Sequence, residues 1–75
     1  MRFPSLKPRE VIYVFKKLGF EEKRQTGSHK IFYHPLTKKI ISLPIHNRDI
    51  KKGLLRSIIT EVGLKPKEFL KILRK

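Results

Sequence analysis

The stretch Arg24-Gln25-Thr26-Gly27-Ser28-His29-Lys30 sets one imidazole directly after a flexible Gly-Ser pair and among cations. Imidazole titrates near neutral pH, at about 6.5 in a model peptide, where a general base is most effective. RNA carries its own nucleophile. Its cleavage needs only removal of a ribose 2′-hydroxyl proton, in-line geometry and stabilisation of a charged phosphorane. In such chemistry His29 takes the proton, and Lys23, Arg24 and Lys30 stabilise charge on the non-bridging oxygens. The strand attacks itself and leaves a 2′,3′-cyclic phosphate and a 5′-hydroxyl. For the proton delivered to the leaving 5′-oxygen, His46 and Lys30 are candidates beside water, although His46 also fits a turn near a helix start. His34, before Pro35, is expected to be solvated.

Two other uses of the loop stay open. His29 could simply begin a strand after a turn that Gly27 permits. It could also touch a 2′-hydroxyl without cutting, as double-stranded-RNA-binding domains do with the loop between their first two strands. Those domains pair the loop with lysines at the start of a helix, and Lys51, Lys52 and Arg56 could form that cluster.

Composition narrows the partners. The chain has 75 residues, 19 Lys and Arg against 6 acids, and a formal charge of +13. One domain over residues 1–75 is expected, with a small core. The charge attracts polyanions, nucleic acid first, an anionic membrane surface second and an acidic protein third. No apolar run approaches the length of a membrane span, and the N-terminus lacks a signal-like apolar core, so a cytoplasmic location is expected. The chain has no Cys, which removes disulfide and thiol chemistry. Glu10, Glu21, Glu22, Asp49, Glu61 and Glu68 are scattered, and the histidines at 29, 34 and 46 lack helical ligand spacing. No metal or cofactor is expected.

The elements that must position these groups follow from periodicity. Val11, Ile12, Phe15 and Leu18 predict a helix over 7–18, with Pro8 in its first turn and Gly19 at its end. Phe20–Gln25, Lys30–His34 and Lys39–Ile45 read as strands joined by turns at 26–28 and 35–38. A second helix should begin after Asn47 or Asp49, with Ile50, Leu54, Leu55, Ile58, Ile59 and Val62 as its apolar stripe. A third runs from Pro66 to about Leu73. The order α-β-β-β-α-α implies an α+β fold, with helices on one face of a three-stranded antiparallel sheet. His29 shares parity with Ile31 and Tyr33, so strict alternation aims it at the core. A turn or bulge at Gly27-Ser28 could break that register, and His29 is expected at the sheet's rim, partly exposed.

Leu18-Gly19-Phe20, Gly27-Ser28-His29, Leu43-Pro44-Ile45-His46 and Ile50-Lys51-Lys52-Gly53-Leu54-Leu55-Arg56-Ser57-Ile58 together resemble the HicA-type toxins. The resemblance covers nearly the whole chain. It implies a fold similar to the double-stranded-RNA-binding domain and an endoribonuclease that cuts mRNA without a cofactor. It also implies His29 as the catalytic histidine and a HicB-type antitoxin as partner. The expected RNA-binding surface is Lys23, Arg24, Gly27, Ser28, Lys30, Lys38, Lys39, Lys51, Lys52 and Arg56, on a chain expected to be monomeric when free. A non-catalytic RNA-binding module is the alternative, and a membrane-surface protein a more distant one.

Overall fold

The computed structural model describes residues 5–45 and 49–74. In chain order the elements are α1 (Pro8–Leu18), β1 (Glu21–Thr26), β2 (His29–Tyr33), β3 (Ile40–Pro44), α2 (Lys52–Glu61) and α3 (Pro66–Arg74). The strands form one antiparallel sheet in the order β1-β2-β3. The α+β order expected from the sequence is the observed one.

Local chemistry sets the ends of α1. Pro8 occupies the first turn, where no amide is needed. The backbone N–H of Lys7 donates to the Glu10 carboxylate at 2.7 Å. At the other end Gly19 takes φ +99°, and the amides of Gly19 and Phe20 donate to the carbonyls of Lys16 and Phe15. This is a Schellman motif with its usual apolar contact, the Phe15 and Phe20 rings lying 5.3 Å apart. The start of α3 repeats the first device: Lys65-Pro66-Lys67-Glu68 mirrors Lys7-Pro8-Arg9-Glu10, and the Lys65 N–H donates to Glu68 at 2.8 Å.

The second helix departs from expectation. It begins at Lys52, with Lys51 as N-cap and no side-chain cap, so Asp49 does not cap it; Asn47 lies outside the described residues. Ile50 precedes the helix, where its N–H donates to the Leu6 carbonyl at 2.7 Å in an isolated antiparallel bridge. A buried backbone bridge fixes the chain there, and helix geometry can start only after it. Leu54 is exposed and lies off the buried face.

Phe32, Ile41 and Leu43 supply the sheet's share of the core, against Val11, Val14 and Phe15 of α1, Leu55, Ile58 and Ile59 of α2, and Phe69 and Leu70 of α3. The alternate positions Ile31, Tyr33, Ile40 and Ser42 therefore face away from the helices. The parity expected from charge alone is reversed. Ile31-Phe32-Tyr33 is apolar on both faces, and packing against Phe15 selects Phe32 for the inside, with ring centroids 5.0 Å apart in an edge-on arrangement.

Truncating that ring should test the arrangement. Phe32→Ala is expected to lose about 3–5 kcal/mol in urea unfolding followed by circular dichroism, enough to leave so small a domain largely unfolded.

Candidate functional site

Gly27 and Ser28 form a two-residue turn between β1 and β2. Gly27 takes φ +58° and Ser28 does not take a positive φ, the pattern of a type II′ hairpin. A Cβ at Gly27 would meet nothing within 4 Å, so the backbone conformation, not space, requires glycine. The turn is tied down from both sides. Gln25 Nε2 donates to the Gly27 carbonyl at 3.2 Å, and the Ile45 N–H donates to the Ser28 carbonyl at 2.7 Å.

His29 is the first residue of β2, cross-strand from Thr26 and Pro44, and it is exposed. It stands on the helix-free face with Ile31 and Tyr33. Alternation holds, but the face it selects is the outer one, so His29 is not aimed at the core.

The cations that flank His29 in sequence are dispersed by strand geometry. Lys30 turns to the opposite face, where it pairs with Glu22 at 3.2 Å. The register of β1 against β2 shifts between Glu22 and Arg24, which makes Lys23 the extra residue of a bulge. Lys23 lies over the Tyr33 ring, 5.2 Å from its centroid, at the far end of β2 from His29. Arg24 is cross-strand from Ile31 and shares the face of His29.

The remaining predicted contacts divide between two poles. Both α1 and α2 start near the His29 end. Their entry segments are joined by the Leu6–Ile50 bridge, and only four residues lie between Ile50 and Ile45, which bonds to Ser28. Both helices end at the opposite pole, beside the β2–β3 turn. Lys51 and Lys52 thus belong to the pole of Gly27, Ser28 and His29, where α2 presents its N-terminal amides and carries no acid in its first turn, and Arg56 lies about one turn further along the helix. Lys38 and Lys39 belong to the other pole, about 17 Å away along the five residues of β2. Lys38 sits in the turn with φ +65°, and Lys39 Nζ donates to the Glu61 carbonyl at 2.6 Å, satisfying the C-terminus of α2. His46 lies outside the described residues.

His34 is not the solvated turn residue that its neighbour Pro35 suggested. Its Nε2 bonds the Leu18 carbonyl at 2.9 Å, and its Nδ1 accepts the amides of Leu36 and Thr37 at 3.2 and 3.3 Å. Those partners specify the tautomer protonated on Nε2. The ring also meets Phe20 edge-on at 5.0 Å and lies so close to Gly19 that a Cβ there would be 3.0 Å from Nε2. His34, Lys39, Leu18, Phe20, Thr37 and Val62 line a cavity of about 100 Å³, too small for a nucleotide. One sequence signal could have found this role: a histidine closing a Pro-containing turn opposite a helix-ending glycine. Among the described residues no group of His, Cys, Asp and Glu is arranged to hold a metal ion.

A small, strongly basic α+β domain with a histidine at the mouth of its first hairpin is the class that these observations define. The family model for the HicA toxin of bacterial toxin–antitoxin systems matches residues 8–64 of the 75, and the chain belongs to that family. Membership implies an antitoxin partner. No curated protein matches the chain. The match spans every element except α3, whose Phe69 and Leu70 complete the core. No described helix is long and apolar enough to cross a membrane.

His34→Ala should lower stability by about 1–3 kcal/mol, because it strands the Leu18 carbonyl and two turn amides. Calorimetry should show a lower Tm.

Proposed function

We propose that this toxin is a metal-independent endoribonuclease that cuts mRNA, with His29 as general base, and that a HicB-type antitoxin holds it in check. The supporting observation is the position of His29: exposed, at the end of the sheet where two helices begin, with Arg24 on its own face. In the proposed step His29 removes the 2′-hydroxyl proton. The 2′-oxygen forms a bond to phosphorus, and the bond from phosphorus to the 5′-oxygen breaks. The leaving oxygen takes its proton from water. Arg24, on the face of His29, would stabilise the non-bridging oxygens, whereas Lys30 points to the opposite face and pairs with Glu22.

The tight turn at Gly27-Ser28 keeps bulk away from the approaching backbone. Lys51, Lys52 and Arg56 would hold phosphates beyond the cut, with the α2 N-terminus adding its dipole. Lys38, Lys39 and Lys23 play a lesser part, since two of them are occupied within the fold and all three lie at or toward the other pole.

A second reading has one observation in its favour. A hairpin loop and a lysine-bearing helix start at the same pole is also the layout with which a non-cutting domain spans double-stranded RNA. One experiment separates the two. Labelled RNA is incubated in EDTA with the wild type and with His29→Ala. The wild type should cut, leaving 2′,3′-cyclic phosphate and 5′-hydroxyl ends. His29→Ala should lose about 10²–10⁴-fold in rate while binding RNA within a few-fold. Ends bearing 3′-hydroxyl and 5′-phosphate would remove this mechanism, and binding without any cutting would favour the non-catalytic module. Titrating binding with salt should give a log–log slope of about −3 to −4, for four phosphate contacts.

A further inference from the structure

The two edges of the sheet are protected very differently. The β1 edge carries Glu21, Glu22, Lys23 and Arg24 and a bulge, all of which discourage another strand from pairing there. The β3 edge reads Ile40-Ile41-Ser42-Leu43-Pro44, with no charge and no irregularity against β2.

The hydrogen-bond phase of β3 is fixed by two bonds outside the strand. The His34 N–H donates to the Lys39 carbonyl, and the Ile45 N–H to the Ser28 carbonyl. In an antiparallel ladder, bonded positions alternate. Lys39, Ile41, Leu43 and Ile45 therefore point their backbone groups at β2, and Ile40, Ser42 and Pro44 point theirs outward. The free edge offers the amides of Ile40 and Ser42 and the carbonyls of Ile40, Ser42 and Pro44, with no partner among the described residues. Pro44 costs the ladder nothing, because its missing amide falls on the outward side. Beside this edge Ile40 is 66% exposed, next to Tyr33 on the helix-free face.

We propose that the antitoxin docks here by adding a β-strand to the edge of β3. The proposal rests on the family's pairing with an antitoxin and not on the assignment of His29. A peptide strand supplies alternating donors and acceptors that match this edge, and RNA does not. A second copy of this chain is a poor occupant, since each copy brings a charge of +13. A strand from an acidic protein meets Lys38 at the head of β3 and covers Ile40. Such a strand lies about 10 Å from β2, since neighbouring strands are about 4.8 Å apart. Pro44 is directly cross-strand from His29, so a partner anchored on β3 is carried alongside the catalytic face.

The test uses the whole toxin and its purified cognate antitoxin. Hydrogen exchange should show the Ile40 and Ser42 amides exchanging fast in the free toxin and at least about 10-fold slower in the complex. Ser42→Pro removes an outward amide and leaves the β2 ladder intact. It should keep the fold and RNA cleavage while weakening antitoxin binding by calorimetry at least about 10-fold. Unprotected amides in the complex, or unchanged affinity in a folded Ser42→Pro, would overturn the proposal, as would dimerisation of the free toxin through this edge. If Ser42→Pro fails to fold, exchange in the wild type decides. His29→Ala should bind the antitoxin normally, so loss of the catalytic reading leaves this result standing.

Discussion

Burial of the Phe32 ring against Phe15 decides which way every other side chain of β2 faces. Successive strand residues alternate, so fixing Phe32 inward sends Lys30 to the helix side and His29, Ile31 and Tyr33 to the open side. Shifting the register by one residue would bury the histidine and expose the phenylalanine together. The Schellman end of α1 sets Phe20 beside Phe15, and His34 packs on Phe20, so the same aromatic cluster anchors the far end of the hairpin. Placement of the candidate base is thus a consequence of core packing more than ten residues away in sequence.

The fold gives the molecule two unlike ends. At one, histidine and lysine are spent on structure: His34 ties the β2–β3 turn to α1, and Lys39 closes α2. At the other, two helices begin. An acid satisfies the first turn of α1, while α2 starts with lysines and no acid. A phosphate near α2 therefore meets helix dipole and side-chain charge of the same sign, with no acid in that first turn.

Much of this architecture is legible in the sequence, because its signals are local. Pro8 and Gly19 bound α1, Gly63 lies just past α2, and Gly27-Ser28 forces a tight hairpin. What escaped depends on contacts between distant residues. Ile31-Phe32-Tyr33 offers apolar side chains to both faces, and only the third dimension chooses between them. Three cations near His29 in sequence were grouped with it, but alternation turns Lys30 to the other face and the bulge carries Lys23 to the Tyr33 end of the strand, leaving Arg24 as the one of the three on the same face toward the His29 end. Asp49 is a good capping residue, yet the Leu6–Ile50 bridge holds the chain extended beyond it. The role of His34 was only half legible, because the turn amides it accepts are local but its other partner, the Leu18 carbonyl, is brought up by tertiary packing.

A toxin of this kind must yield to its antitoxin in a cell full of RNA, and charge alone does not secure that outcome. Every polyanion is attracted to a chain carrying +13, and RNA is the most abundant competitor. Discrimination needs an interaction that one partner can make and the other cannot. The β3 edge offers features of that kind, an exposed aliphatic side chain at Ile40 and the outward backbone groups of Ile40 and Ser42, none of which carries a charge that a phosphate could use. The same charge that attracts polyanions speeds an acidic partner's approach. On the proposed docking an uncharged strand edge would select between them, and recognition and the proposed cleavage would draw on different chemistry within one three-stranded sheet.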